Sequence, residues 1–84
     1  MRSIVYSRDA ERTLRRMPAN TALLIVAKID QYGRDPASLA NNLTALKGMP
    51  GHIRLRVGDW RVIMRDDGVV IAIIRIAPRG SVYE

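Results

Sequence analysis

Residues 52–65 constrain the fold more than any other stretch, because their pattern admits little besides a β-hairpin. In Ile53-Arg54-Leu55-Arg56-Val57 apolar and arginine residues alternate, and successive side chains of a strand point to opposite faces. Gly58-Asp59 is a two-residue turn with glycine first, as a type II′ turn requires. That turn sets Val57 opposite Trp60, Arg56 opposite Arg61 and Leu55 opposite Val62. One face then holds Ile53, Leu55, Val57, Trp60, Val62 and Met64; the other holds Arg54, Arg56, Arg61 and Arg65. Like charges directly opposed across two strands destabilise a sheet. A local rule broken in an otherwise consistent sequence points to a functional site. The group that would compensate is anionic: a phosphate, a nucleic-acid backbone or an acidic protein partner.

The remaining segments supply what such a hairpin packs against. Residues 3–6 read as a first strand. Ser7 is a helix N-cap, with Asp9 and Glu11 in the first turn where the helix dipole favours acids. Ala10, Leu14 and Met17 make the apolar stripe of that helix, Arg12, Arg15 and Arg16 make a solvated outer face, and Pro18 stops it. Asn20 is expected to cap a second helix over residues 21–32, with Ala22, Ile25, Val26 and Ile29 at helical spacing, Leu23 and Leu24 widening the buried stripe, and Gly33 ending it. Residues 34–51 are irregular; Leu39, Leu43 and Leu46 either form a helical turn or pin the loop to the core, and a connection this long is often functional. Asp67-Gly68 signals a type I′ turn. Residues 69–76 are apolar on both faces, as a central strand is. The expected fold is α+β in the order β-α-α-β-β-β, with two N-terminal helices on one face of a small, mainly antiparallel sheet and the arginine face uncovered.

At 84 residues the chain is expected to form one domain, residues 1–84. It carries a formal charge of +6, and twelve of its fourteen basic residues are arginine. Arginine gives bidentate contacts to phosphate or carboxylate where lysine is a looser point charge. A small basic domain suits nucleic acid or an acidic protein. The chain has no cysteine, which excludes disulfides, thiolate chemistry and cysteine-based zinc sites. No metal-ligand spacing, cofactor motif, signal peptide or membrane-length apolar run is legible, so no cofactor and no membrane are expected and the cytoplasm is the expected location.

From Leu46 to Tyr83 the sequence resembles the RelE/ParE superfamily of bacterial type II toxin–antitoxin toxins. The resemblance rests on Leu46-Lys47-Gly48, the Ile53-Arg54-Leu55-Arg56-Val57 strand, Gly58-Asp59-Trp60-Arg61-Val62, and the ending Ile76-Ala77-Pro78-Arg79-Gly80-Ser81-Val82-Tyr83. The N-terminal strand and two helices agree with the family in order and length. The resemblance implies a RelE-like, microbial-RNase-like fold and a cognate antitoxin that binds the toxin in a hetero-oligomer. For the RelE branch, which this chain is closer to, it implies metal-independent cleavage of mRNA in the ribosomal A site, by attack of the 2′-hydroxyl on the adjacent phosphate. For the ParE branch it implies inhibition of DNA gyrase by protein binding, without nuclease chemistry.

Carried over residue by residue, the resemblance makes Arg61 the strand arginine on the scissile phosphate. Arg79 becomes the C-terminal arginine that neutralises the phosphate or assists the leaving group, and Tyr83 the late tyrosine that orients a base. Arg54 and Arg56 stand where RelE has two lysines. With Arg65 and Lys47 they are expected to hold phosphate or RNA. An arginine effectively cannot lose its proton, so the general base is unassigned. His52, read as a loop residue, is the chain's one histidine, a residue type that often serves in acid–base chemistry; Tyr6, Tyr32 and Tyr83 offer hydroxyls. Trp60 falls on the apolar side of the hairpin and is expected in the core rather than as a stacking platform.

Overall fold

The computed structural model describes residues 2–79. Its strands are β1 (Ser3–Tyr6), β2 (Leu43–Ala45), β3 (His52–Val57), β4 (Trp60–Asp66) and β5 (Val70–Pro78); its α-helices are α1 (Arg8–Arg16) and α2 (Ala19–Arg34), and Pro36–Asn42 forms a 3-10 segment. The sheet order is β1-β5-β4-β3-β2. β1 runs parallel to β5 and every other pairing is antiparallel. The β-α-α-β-β-β order therefore holds, with the 3-10 segment and a three-residue edge strand added inside the stretch that looked irregular.

The hairpin register is the expected one: Val57 pairs with Trp60, Arg56 with Arg61 and Leu55 with Val62. Gly58 has φ +58, and among the described residues none other than glycine has positive φ, which fits a turn needing positive φ at its first position only. The apolar alternates Leu55, Val57, Val62 and Met64 join Ile71, Ile73 and Ile76 of β5 in one core with Ala10 and Met17 near α1 and Ile25, Ile29 and Tyr32 of α2. No polar or charged side chain among the described residues is fully buried. Trp60 packs half-buried against this core.

Ser7 starts α1 as expected: its Oγ accepts from the Ala10 N–H at 3.0 Å. The same hydroxyl donates to the Ile74 carbonyl at 2.7 Å, so one side chain caps the helix and ties it to β5 beyond the end of β1. Next to this tie the β4–β5 register shifts at Ile63/Met64, an irregularity of the β-bulge kind.

Four local expectations are corrected. α2 begins directly after Pro18, which gives no side-chain cap; Asn20 lies inside the first turn, its Oδ1 accepting from Thr21 N–H. Gly33 does not end α2. It is buried in the last turn without positive φ, and the helix runs to Arg34 because Asp35 N–H still reaches the Gln31 carbonyl at 2.8 Å. Leu23 and Leu24 are 71% and 51% exposed, because the face of α2 that meets the sheet is set by Ile25 and Ile29. Finally, the β4–β5 turn is centred on Gly68-Val69 rather than Asp67-Gly68: Asp67 N–H donates to the Val70 carbonyl, and positive φ occurs at Gly68 alone. Asp67 instead folds its carboxylate over the turn, accepting from the N–H groups of Val70 at 2.7 Å and Val69 at 2.8 Å. These bonds hold its pKa below the ordinary carboxylate value.

Candidate functional site: an arginine face with a polar rim

The side of the sheet away from the helices carries the alternate residues of β3 and β4. His52, Arg54 and Arg56 come from β3; Arg61, Ile63 and Arg65 come from β4. Arg56 and Arg61 are direct cross-strand partners. β2 adds Thr44 beside Arg54. Arg54, Arg56, Arg61 and Thr44 line one concavity of about 160 Å³, together with Asn41 and Asn42 from the end of the 3-10 segment. Arg61 is held in place locally, its Nη1 donating to the carbonyls of Gly58 and Trp60, each at 3.2 Å. The turn carbonyls thus orient one edge of the guanidinium.

Arg79 reaches the same end of the face by a backbone route. Its N–H donates to the Asp59 carbonyl at 2.7 Å, directly after Pro78 pairs with Trp60. Its side chain is exposed. Arg54, Arg56, Arg61 and Arg79 therefore cluster around the turn end of the β3–β4 hairpin. Arg65 and Lys47 do not join them. Arg65 pairs with His52 at the far end, four residues from Arg61 or roughly 13 Å along a strand, and Lys47 is exposed in the β2–β3 loop beyond it. Tyr83 lies outside the described residues.

The face is not uniformly bare, as the alternation alone suggested. Ile63 is fully buried and Ala77 nearly so, with Leu46 and Ile74 packed against them. A small apolar island therefore sits between the two basic ends. The sequence signal was available, since Ile63 has the parity of the arginines.

The alternative acid–base candidates are placed elsewhere. His52 is the first residue of β3, not a loop residue; its Nδ1 lies 3.1 Å from the Pro50 carbonyl. It is four residues, again roughly 13 Å, from Arg56. Tyr6 packs against the core on the helix side, and burial first, then Asp30, raises its pKa. Tyr32 donates to Asp66 Oδ2. Asp66 also pairs with Arg2 at 3.3 Å, and the Arg2 guanidinium sits 5.6 Å from the Tyr32 ring centre. Burial and the Asp66 bond push the Tyr32 hydroxyl up to about 12. These tyrosines hold the fold together and do not face the arginines. Arg12, Arg15 and Arg16 are exposed on α1, as a solvated helix face would be.

The fold is that of a RelE-like α+β domain. A model of the family described as "ParE toxin of type II toxin-antitoxin system, parDE" matches residues 4–83. The chain belongs to that family: it is a toxin of a type II toxin–antitoxin system, within the RelE/ParE superfamily. Among solved structures, a chain of the archaeal RelE–RelB complex from Pyrococcus horikoshii superposes with a TM-score of 0.77 at 22% identity, over 96% of this chain and 98% of that one. Isolated RelE from E. coli gives 0.77 at 16% identity, over 98% and 88%. A chain of the intact E. coli RelBE toxin–antitoxin complex gives 0.75 at 16% identity, over 98% and 100%. At these identities the likeness is one of fold. The curated proteins compared contain no match. Among the described residues no helix is long and apolar enough to cross a membrane.

Proposed function

We propose that this toxin inhibits translation as a ribosome-dependent mRNA endonuclease acting in the cytoplasm, and that a cognate antitoxin neutralises it in a hetero-oligomeric complex. The observation that carries the reading is the convergence of Arg54, Arg56 and Arg61 on one concavity, with Arg79 tethered beside the same turn. Four guanidinium groups have no mutual reason to gather, and a phosphodiester supplies one. In the proposed reaction the RNA 2′-oxygen attacks the adjacent phosphorus. The bond to the 5′-oxygen breaks, leaving a cyclic phosphate and a 5′-hydroxyl; the 2′-hydroxyl proton is released to water and the leaving 5′-oxygen takes one up from water. Arg61, oriented by the Gly58 and Trp60 carbonyls, stabilises charge growing on the non-bridging oxygens, a large part of many catalytic effects. Arg79 neutralises the leaving 5′-oxygen, and Arg54 and Arg56 clamp flanking phosphate. The proposal takes support from complexes of solved fold relatives with RelB-type antitoxins. The same basic face suits acidic antitoxin residues, and complementarity of that kind mainly speeds association and sets specificity.

A second reading has its own support. The matching family model carries the ParE name, and Arg54 and Arg56 replace side chains that could lose a proton. Binding to DNA gyrase needs no general base. The two readings separate in purified components. Translating ribosomes with a defined mRNA, and gyrase with relaxed plasmid, are each exposed to the toxin. mRNA cut only when ribosomes are present supports the nuclease; loss of supercoiling with intact mRNA refutes it and establishes the gyrase reading.

A further inference from the structure

We propose that Asn41, Asn42 and Thr44 are specificity-determining residues that read the nucleotide next to the phosphate held by the arginines. The inference rests on the nuclease reading and deepens it, by giving the site a preference among bases.

Placement is the first argument. Leu39 is buried at a kink of the 3-10 segment and pins that segment to the core. Leu43 then pairs with Leu55 and packs on the same core. Between these two apolar anchors the chain can only deliver residues 41 and 42 to the sheet edge, where they line the concavity with the arginines. Thr44 alternates with Leu43, so it faces Arg54.

Chemistry is the second argument. A phosphate accepts hydrogen bonds and offers no donor, so guanidinium groups alone satisfy it. A carboxamide brings a donor and an acceptor on one group, and a hydroxyl brings both on one atom. Beside Arg54, Arg56 and Arg61 the carboxamide acceptors would be wasted on a phosphate. They suit the edge of an unpaired base or a ribose hydroxyl, which is how single-stranded RNA is read. Asparagine, like glutamine, can pair bidentately with adenine. None of the three side chains hydrogen-bonds another described residue, so their donors and acceptors are not spent on the fold. An acidic peptide, by contrast, would be served better by more arginine or lysine at this rim.

The test maps mRNA 5′ ends in cells after brief induction of the toxin, Asn41→Ala, Asn42→Ala and the double variant. Each variant is also co-purified with the antitoxin to show that it folds. The expected result is phased cutting by the unaltered toxin with a base bias beside the cut. The double variant should relax that bias by roughly fivefold or more, the lower end of what one good base-edge contact contributes. Asn42→Gln keeps the amide but moves it by one methylene, and should shift the bias to other bases, which a merely structural role would not do. Phased cuts without bias, or a bias unchanged in the double variant, overturn the proposal and leave the nuclease reading intact. Loss of antitoxin binding with unchanged bias overturns it in favour of a protein-contact rim. Growth arrest with no phased cuts sinks both.

Discussion

Arg56→Gln should make the protein more stable and less toxic. Arg56 and Arg61 are cross-strand partners on the exposed face. Cβ atoms of such partners lie about 5 Å apart, which puts the two guanidinium groups about 6–7 Å apart. In a water-like dielectric two unit charges at that distance repel by about 0.6 kcal/mol, within the range of roughly 0.2–1 kcal/mol typical of cross-strand pairs. Glutamine keeps most of the length and polarity and removes the charge. For a domain of this size about 0.6 kcal/mol corresponds to a rise in Tm of about 2–5 °C. The assay is thermal denaturation of the purified toxin and variant, at low salt and in about 1 M salt, where the Debye length shrinks to about 3 Å. The gain should be present at low salt and largely gone at high salt. No gain at low salt, or a gain unaffected by salt, would refute the claim that the face stores repulsion an anionic ligand relieves.

Three further outcomes follow from the structure. Ser7→Ala removes the α1 cap and the donor to the Ile74 carbonyl; a cap alone is worth about 0.5–2 kcal/mol, and chemical denaturation should show a loss toward the upper end of that range. Tyr32→Phe removes one donor from the Asp66 carboxylate, which keeps Arg2 and the Gly68 N–H, and should cost about 1.5–3 kcal/mol, the usual range for a hydrogen bond to a charged group. Tyr32 is also a titration marker: its folded pKa, about 12, is raised above the ordinary 10.0. Its contribution is therefore complete below pH 10 and lost as pH rises toward 12, and difference spectroscopy of unfolding across that window should show it, but not in Tyr32→Phe.

What was legible in the sequence was what local rules decide. Alternation plus a two-residue turn fixed the β3–β4 register, because a one-residue slip would turn Leu55 and Val62 to solvent. The Ser7 cap was legible because only a few residue types cap helices. β2 was not legible. Leu43-Thr44-Ala45 has no strong pattern of its own and is a strand because Leu43 finds Leu55. Leu23 and Leu24 sit beside a buried stripe, yet a helix has only one side toward the sheet. Gly33 reads as a helix end, but burial of the last turn carried α2 past it.

The same division runs through the site. The arginines announced themselves by breaking the rule against facing like charges. Parity placed Arg65 with Arg61 on one face but carried no information on their separation along it, so residues that looked like one cluster fall at two ends. Asn41 and Asn42 fall in the stretch that reads as irregular. Their place beside the arginines depends on Leu39 and Leu43 reaching the core, a tertiary fact with no local trace.

The central claim is that the arginine cluster around the hairpin turn cuts mRNA on the ribosome. Mapping mRNA 5′ ends during a brief induction of the toxin, alongside Arg61→Ala and Arg79→Ala, tests it most directly. The account predicts codon-phased cuts inside translated regions that vanish in both variants while antitoxin binding persists. Growth arrest without such cuts, or phased cutting that survives in both variants, would contradict it.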